Sequence, residues 1–223
     1  MVNKQAWQTI HNELTATGVT LVAVSKTKPA NDIQELYDLG QRHFGENYVQ
    51  ELVEKQALLP KDIIWHYIGH LQTNKVKYIA PFVTMIHAVD SFKLLAEINK
   101  YAHKSQRSID ILLQLHVAEE ETKFGMDEKE VLTLLEYYTA QIETLQNIRI
   151  CGLMGMASNS DDQVKIKGEF VRIHNFFKYL SETTFFNKPY FSTCSIGMSS
   201  DYKTAIEAGG NMVRIGSLLF GSR

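Results

Sequence analysis

The chain has 223 residues, 44% hydrophobic and 22% charged, the make-up of a globular protein long enough for one sizeable core. Lysine and arginine number 23 against 25 acidic residues, and this balance excludes a nucleic-acid binder that works through bulk charge. With 2 cysteines, no apolar leader at the start and no run near the roughly 18 residues of a membrane span, neither a disulfide scaffold nor a membrane protein is expected.

Pro is scarce, with 4 residues, and no stretch is low in complexity, so residues 1–223 read as one domain in the cytosol. Lys4–Thr15 predicts a helix ahead of the first strand. Short apolar or β-branched runs then predict strands at Val19–Val24, His43–Gly45, Ile63–Ile68, Met85–His87 and Ile109–Val117. The series continues with Ile148–Met154, Tyr190–Thr193 and Met212–Ile215. Between them lie helical patterns. Asn31-Asp32 can cap a helix carrying Ile33, Leu36, Tyr37 and Leu39, with Gly40 at its end. Phe92, Leu95, Ala96 and Ile98 mark a second helix, Val131, Leu132, Leu134, Leu135 and Tyr138 a third, and Phe170, Ile173, Phe176, Phe177 and Leu180 a fourth. Strand-like runs that alternate with room for a helix point to a closed parallel (β/α)8 barrel of the TIM type.

In such a barrel the strands' C-terminal ends carry the site. Lys26, just past the apolar run Leu21–Val24, is a candidate Schiff-base former, because desolvation favours the neutral amine that attacks an aldehyde. A solvated lysine that starts a loop is the alternative on this segment alone. After the last strand, Gly216 and Ser217 can offer backbone N–H groups and a hydroxyl to a phosphate. Ser195 to Asp201 follows the seventh predicted strand, and its serines either favour an anion or simply cap the helix that carries Ala205, Ile206 and Ala208. His66 and His70 straddle a strand and a turn, which suits structural histidines better than zinc ligands. The glycines form no dinucleotide fingerprint, Glu119-Glu120-Glu121 reads as a solvated loop, and Cys151 and Cys194 as packing residues.

Seven segments together resemble one family. They are Val24-Ser25-Lys26-Thr27-Lys28-Pro29, Phe44 to Glu51, His66 to Lys75, Lys123-Phe124-Gly125, Gly152-Leu153-Met154, Ser195 to Asp201 and Val213 to Ser217. The chain is similar to the YggS/PROSC family of pyridoxal 5'-phosphate (PLP) homeostasis proteins, related to the N-terminal barrel of alanine racemase. The resemblance implies PLP held as an internal aldimine on Lys26, with Lys28 as the competing lysine. It implies that Arg214 faces the pyridine nitrogen, that Ser199, Gly216 and Ser217 cradle the phosphate, and that Asn47 lies beside the ring. Leu115-His116 stands where many relatives have Val-Asn, and Gly155-Met156-Ala157 is a variant segment.

The implied function is PLP binding in intracellular PLP homeostasis, with PLP-dependent apo-enzymes as recipients and a monomer as the working form. The sequence runs two residues past Gly221, so no second domain with the tyrosine base of a racemase is expected. A small single-domain amino-acid racemase is the rival reading. A third is a phosphate-ligand barrel that forms no imine.

Overall fold

The computed structural model describes residues 2–118 and 124–221. Its parallel strands close into a ring in sequence order: β1 (Thr20–Val24), β2 (His43–Glu46), β3 (Ile64–Tyr67), β4 (Met85–Val89), β5 (Ile109–His116), β6 (Ile148–Met156), β7 (Thr193–Met198) and β8 (Met212–Ile215). β8 returns to β1 in register from Thr20↔Met212 to Ala23↔Ile215, which leaves no edge. The expected (β/α)8 barrel with a leading helix is the observed fold.

Helix α1 (Lys4–Ala16) precedes the ring, and α2 (Ala30–Asp38), α3 (Val49–Leu58), α4 (Val76–Ile79) and α5 (Phe92–Lys104) follow the first four strands. α6 (Glu128–Ala140), α7 (Gln163–Glu182), α8 (Tyr202–Glu207) and the short α9 (Ser217–Phe220) complete the outer layer. Local signals set several of these boundaries. Asp127 and Glu130 form a reciprocal capping box at the start of α6, and Ser91 caps α5 by accepting from the Leu94 N–H. Among the described residues no helix is long and apolar enough to cross a membrane.

Alternation along each strand divides the interior in two. Leu21 and Ala23 join a large apolar cluster with the helices, whereas Val22 belongs to a small separate cluster with Met85, Leu112, Met154 and Met212. The small cluster fills the inside of the ring. It shares that space with buried polar side chains, His66, His87, Gln114, Ser195 and Arg214. Those residues are hydrogen-bonded, as burial requires.

Two sequence expectations need correction. Strand seven is Thr193–Met198, not Tyr190–Thr193, so Ser195 to Met198 lie within the strand instead of after it. Tyr190 and Phe191 have strand-like composition, but Phe191 stacks on Phe185 with centroids 4.0 Å apart in the connection from α7. The strand itself was hidden by Ser195 and Gly197, which an apolar-run reading discounts. Secondly, Asn31 and Asp32 do not cap α2. Pro29 occupies the cap position, and Asp32 sits in the first turn, where its carboxylate faces the positive end of the helix.

Candidate functional site

A cavity of about 340 Å³ opens at the C-terminal ends of the strands, and Lys26, Asn47, Ser199, Arg214, Gly216 and Ser217 all line it. Lys28 shares the same cavity, and Ile68, Met156 and Phe220 supply apolar walls. The ring closure explains the meeting of chain ends: β1 and β8 are neighbours, so Lys26 after β1 lies beside Gly216 and Ser217 after β8.

Lys26 stands in a tight turn between Ser25 and Thr27. Thr27 has φ +64, a left-handed conformation that is costly for a β-branched residue and persists only where the surroundings impose it. Here they do. The Thr27 N–H donates to Glu51 Oε1 at 2.7 Å, and the Lys28 N–H returns to the Ser25 carbonyl at 3.0 Å. Beneath the turn, Lys55 on α3 donates to Glu46 Oε1 at 2.7 Å and to the Ser25 carbonyl at 2.8 Å, while Ser25 Oγ donates to the same Glu46 oxygen at 2.6 Å. Lys55 also lies 3.5 Å from Glu51 Oε1, one helical turn away. Burial pushes the Glu46 carboxyl up to about 7 although Lys55 and Ser25 both pull it down.

Asn47 follows β2 and brings its amide to the cavity wall, where Oδ1 is buried with no hydrogen-bond partner. Its backbone is clamped from β3: Tyr67 Oη donates to the Asn47 carbonyl at 3.0 Å and to the His70 carbonyl at 3.1 Å. Gly69 passes so close that a Cβ there would lie 2.9 Å from Asn47 Cα and closer still to its carbonyl oxygen. Only glycine fits that approach.

On β8, Arg214 is buried and reaches across two strands. Nη1 donates to the Ser195 carbonyl at 2.7 Å and to Ser195 Oγ at 2.8 Å, and Nη2 donates to the Gly155 carbonyl at 3.0 Å. Burial lowers its pKa to about 10, while Asp201 nearby pulls it up, so the guanidinium is a cation at neutral pH. Ser199 does not cap α8, whose cap position is Asp201. Instead Ser199 Oγ accepts the Gly216 N–H at 3.1 Å and ties the β7 turn to the β8 turn. Asp201 Oδ1 accepts the Met198 N–H at 2.6 Å and fixes the rest of that turn.

Sequence reasoning missed the supporting residues: Glu46, Glu51 and Lys55 under Lys26, Tyr67 and Gly69 behind Asn47, and Ser195 behind Arg214. The available signal was a set of polar residues inside otherwise apolar strands, together with Glu51 and Lys55 four apart on one helix. Other residues singled out from the sequence lie elsewhere. His66 is buried inside the barrel, and His70 stacks on Phe124 with centroids 4.0 Å apart. Cys151 and Cys194 are buried free thiols, both pushed up to about 12 chiefly by burial. Glu119, Glu120, Glu121 and Lys123 lie outside the described residues. Among those described, no cluster of three His, Cys, Asp or Glu side chains could hold a metal.

Three comparisons bear on this geometry. The sequence pattern of the alanine racemase N-terminal domain matches residues 4–223. The pyridoxal phosphate homeostasis protein of Pasteurella multocida is 37% identical over 210 residues, covering 93% of this chain and 88% of its own. PipY of Synechococcus elongatus, solved without PLP, is 34% identical with a TM-score of 0.88 over 97% of this chain and 99% of its own. The same protein with PLP bound superposes with a TM-score of 0.81 over 94% of this chain and 99% of its own.

Proposed function

Because this chain belongs to the pyridoxal phosphate homeostasis proteins within the alanine racemase N-terminal domain family, we propose that it binds PLP in the cavity at the strand ends and serves PLP homeostasis. The observation that carries this reading is the meeting of Lys26, a buried Arg214 and the Ser199–Gly216–Ser217 turns in one cavity.

The residues present fit the group. The Lys26 amine is placed to hold an aldehyde covalently, as a nucleophilic lysine does. Ser199 and Ser217 offer hydroxyl donors to a phosphate, and the Gly216–Ser217 turn is already tied to the Ser199 turn. Asn47 Oδ1, buried and unpartnered on the wall, gives the ring's polar edge a partner. Ile68, Met156 and Phe220 exclude water from the ring faces. When bound, PLP supplies an electron sink for amino-acid chemistry. Arg214 tempers that property, because a guanidinium donates hydrogen bonds and takes none, and so holds a facing pyridine nitrogen unprotonated. Storage and delivery suit such a site better than carbanion chemistry. The recipients we propose are PLP-dependent apo-enzymes, and the working form a cytosolic monomer.

Borohydride reduction of the protein mixed with PLP, followed by peptide mass spectrometry, tests the attachment. The label is expected on Lys26 and lost in Lys26→Ala, whose fold stays intact because a strand-end lysine contributes little to the core. A label on Lys28, or none, overturns the assignment. Deuterium exchange at the Cα of alanine, catalysed at about one per second or faster, the ordinary enzyme range, would replace the carrier by the racemase reading.

A further inference from the structure

Three imidazoles stand in line inside the barrel. His43 Nδ1 lies 2.9 Å from His66 Nε2, His66 Nδ1 lies 2.9 Å from His87 Nε2, and His87 Nδ1 lies 3.2 Å from Ser195 Oγ. The line begins at the first residue of β2, where His43 is half-buried, and crosses β3 and β4 to β7. It ends on Arg214, which donates to Ser195 Oγ. We infer that His43, His66 and His87 form a hydrogen-bonded column of fixed direction that positions the Ser195 hydroxyl and, through it, the Arg214 guanidinium.

The direction follows from elementary donor counting. A guanidinium only donates, so Ser195 Oγ is an acceptor toward Arg214. Its single O–H is then available to His87 Nδ1, and of the two His87 tautomers only the one that accepts at Nδ1 uses it. A neutral imidazole has one donor and one acceptor, so His87 carries its proton on Nε2 and gives it to His66 Nδ1. The same logic puts the His66 proton on Nε2, directed at His43 Nδ1. Every ring therefore accepts at Nδ1 and donates at Nε2. Reversing the column would turn a His87 N–H toward Ser195 and cost the hydroxyl its imidazole acceptor.

Charging His43 or His66 breaks the arrangement, because a second proton on Nδ1 would face the N–H of its neighbour. The charged and titratable groups that act on the rings are the rings themselves, with Arg214 acting on His87 from β8. Asp201 and Cys194 act on Arg214 in turn. Burial holds His66 down to about 3 and His87 well below its ordinary value, and it lowers His43 as well. The column is neutral at neutral pH. A proton that reaches half-buried His43 removes the acceptor of His66, and so bears on the far end at Arg214.

The role of Arg214 toward a cofactor ring rests on the function proposed above, but the column is testable without any ligand. Nitrogen-15 spectra of the histidines in the full ligand-free chain distinguish the two tautomers. At neutral pH, His66 and His87 are both expected as the Nε2–H form. Ser195→Ala should convert His87 to a mixture of tautomers and shift the Nη1–H signals of Arg214, which lose the hydroxyl but keep the Ser195 carbonyl, and Ser195→Thr, which keeps the hydroxyl, should retain both. His43→Phe, at the far end, should shift the tautomer balance of His66 and with it that of His87, whereas His43→Gln keeps an acceptor and leaves them in place. An Nδ1–H form of His66 or His87 in the unmodified chain overturns the column. So does a His87 tautomer unmoved by Ser195→Ala or His43→Phe. Failure of PLP to label Lys26 leaves these spectra unaffected and would count against the proposed function alone.

Discussion

The two walls of the cavity hold their cations by opposite means. Under Lys26 lies a charged network, Glu46, Lys55 and Glu51, in which one carboxylate oxygen of each acid is buried without a partner. Behind Arg214 lies a neutral one, in which a serine and three imidazoles bond end to end. The difference matches what each wall supports. The Lys26 turn contains a strained Thr27, and charge-assisted bonds to Ser25 and Thr27 are strong enough to hold it. Arg214 is already a buried cation, and another positive charge beside it would add repulsion at low dielectric. Neutral imidazoles support it without that repulsion.

The comparison can be broken most severely on the lysine wall. Lys55→Met removes the cation bonded to buried Glu46, and above pH 7, where that carboxyl is ionised, a loss of about 3–5 kcal/mol in urea unfolding is expected for one partner removed from a buried pair. Adding Glu46→Leu should recover most of that loss, since an apolar replacement of the whole pair is often tolerated. A Lys55→Met variant as stable as the unmodified chain above pH 7 would mean that the network carries no charge.

Next in size is the phosphate side, which both walls share. Ser199→Ala and Ser217→Ala each remove a hydroxyl donor, and each should weaken PLP retention by about 1.5–3 kcal/mol in equilibrium dialysis. Ser199→Ala should also loosen the Gly216 turn, whose N–H it now receives, so its effect should be the larger of the two. Equal affinity in both variants and the unmodified chain would place the phosphate elsewhere.

Gly69→Ala sharpens the role of backbone clamping between the walls. A Cβ at this position meets the Asn47 backbone, and overpacking of that kind costs roughly 1–3 kcal/mol. Thermal unfolding should register the loss, and PLP affinity should fall with it because Asn47 is displaced.

The most diagnostic effects lie in pH dependence. Glu46 has its folded pKa raised from 4.5 to about 7, so the native state binds the extra proton. Stability from this group is complete below about pH 4.5 and is lost as pH rises through 7. His66 behaves in the opposite sense. Its folded pKa is lowered from 6.5 to about 3, so its contribution is complete above 6.5 and is lost as pH falls toward 3. Unfolding free energies measured across this range should lose the first slope in Glu46→Gln and part of the second in His66→Gln. If Glu46→Gln leaves the profile unchanged, burial does not govern that carboxyl.

Much of this architecture could be read along the chain. Apolar strand runs, amphipathic helical spacing and the order of the motifs yield the barrel and its leading helix, because these depend on neighbours within a few residues. The same reading places Lys26, Ser199, Gly216 and Ser217 at the strand ends, the family resemblance adds Asn47 and Arg214, and all of them line one cavity. Strand seven escaped because its signal is local too, and Ser195 and Gly197 erase it. The supports of the two walls carry no local signal at all. Ser195 and His87 are 108 residues apart and meet only because the ring turns both inward. Glu46 takes its character from burial under Ser25 and Lys55, and Lys55 on the surface of an isolated helix would be an ordinary solvated cation. Which polar residues bear charge and which pass hydrogen bonds was decided by closure of the barrel, since only the closed ring removes the water that would otherwise satisfy each of them separately.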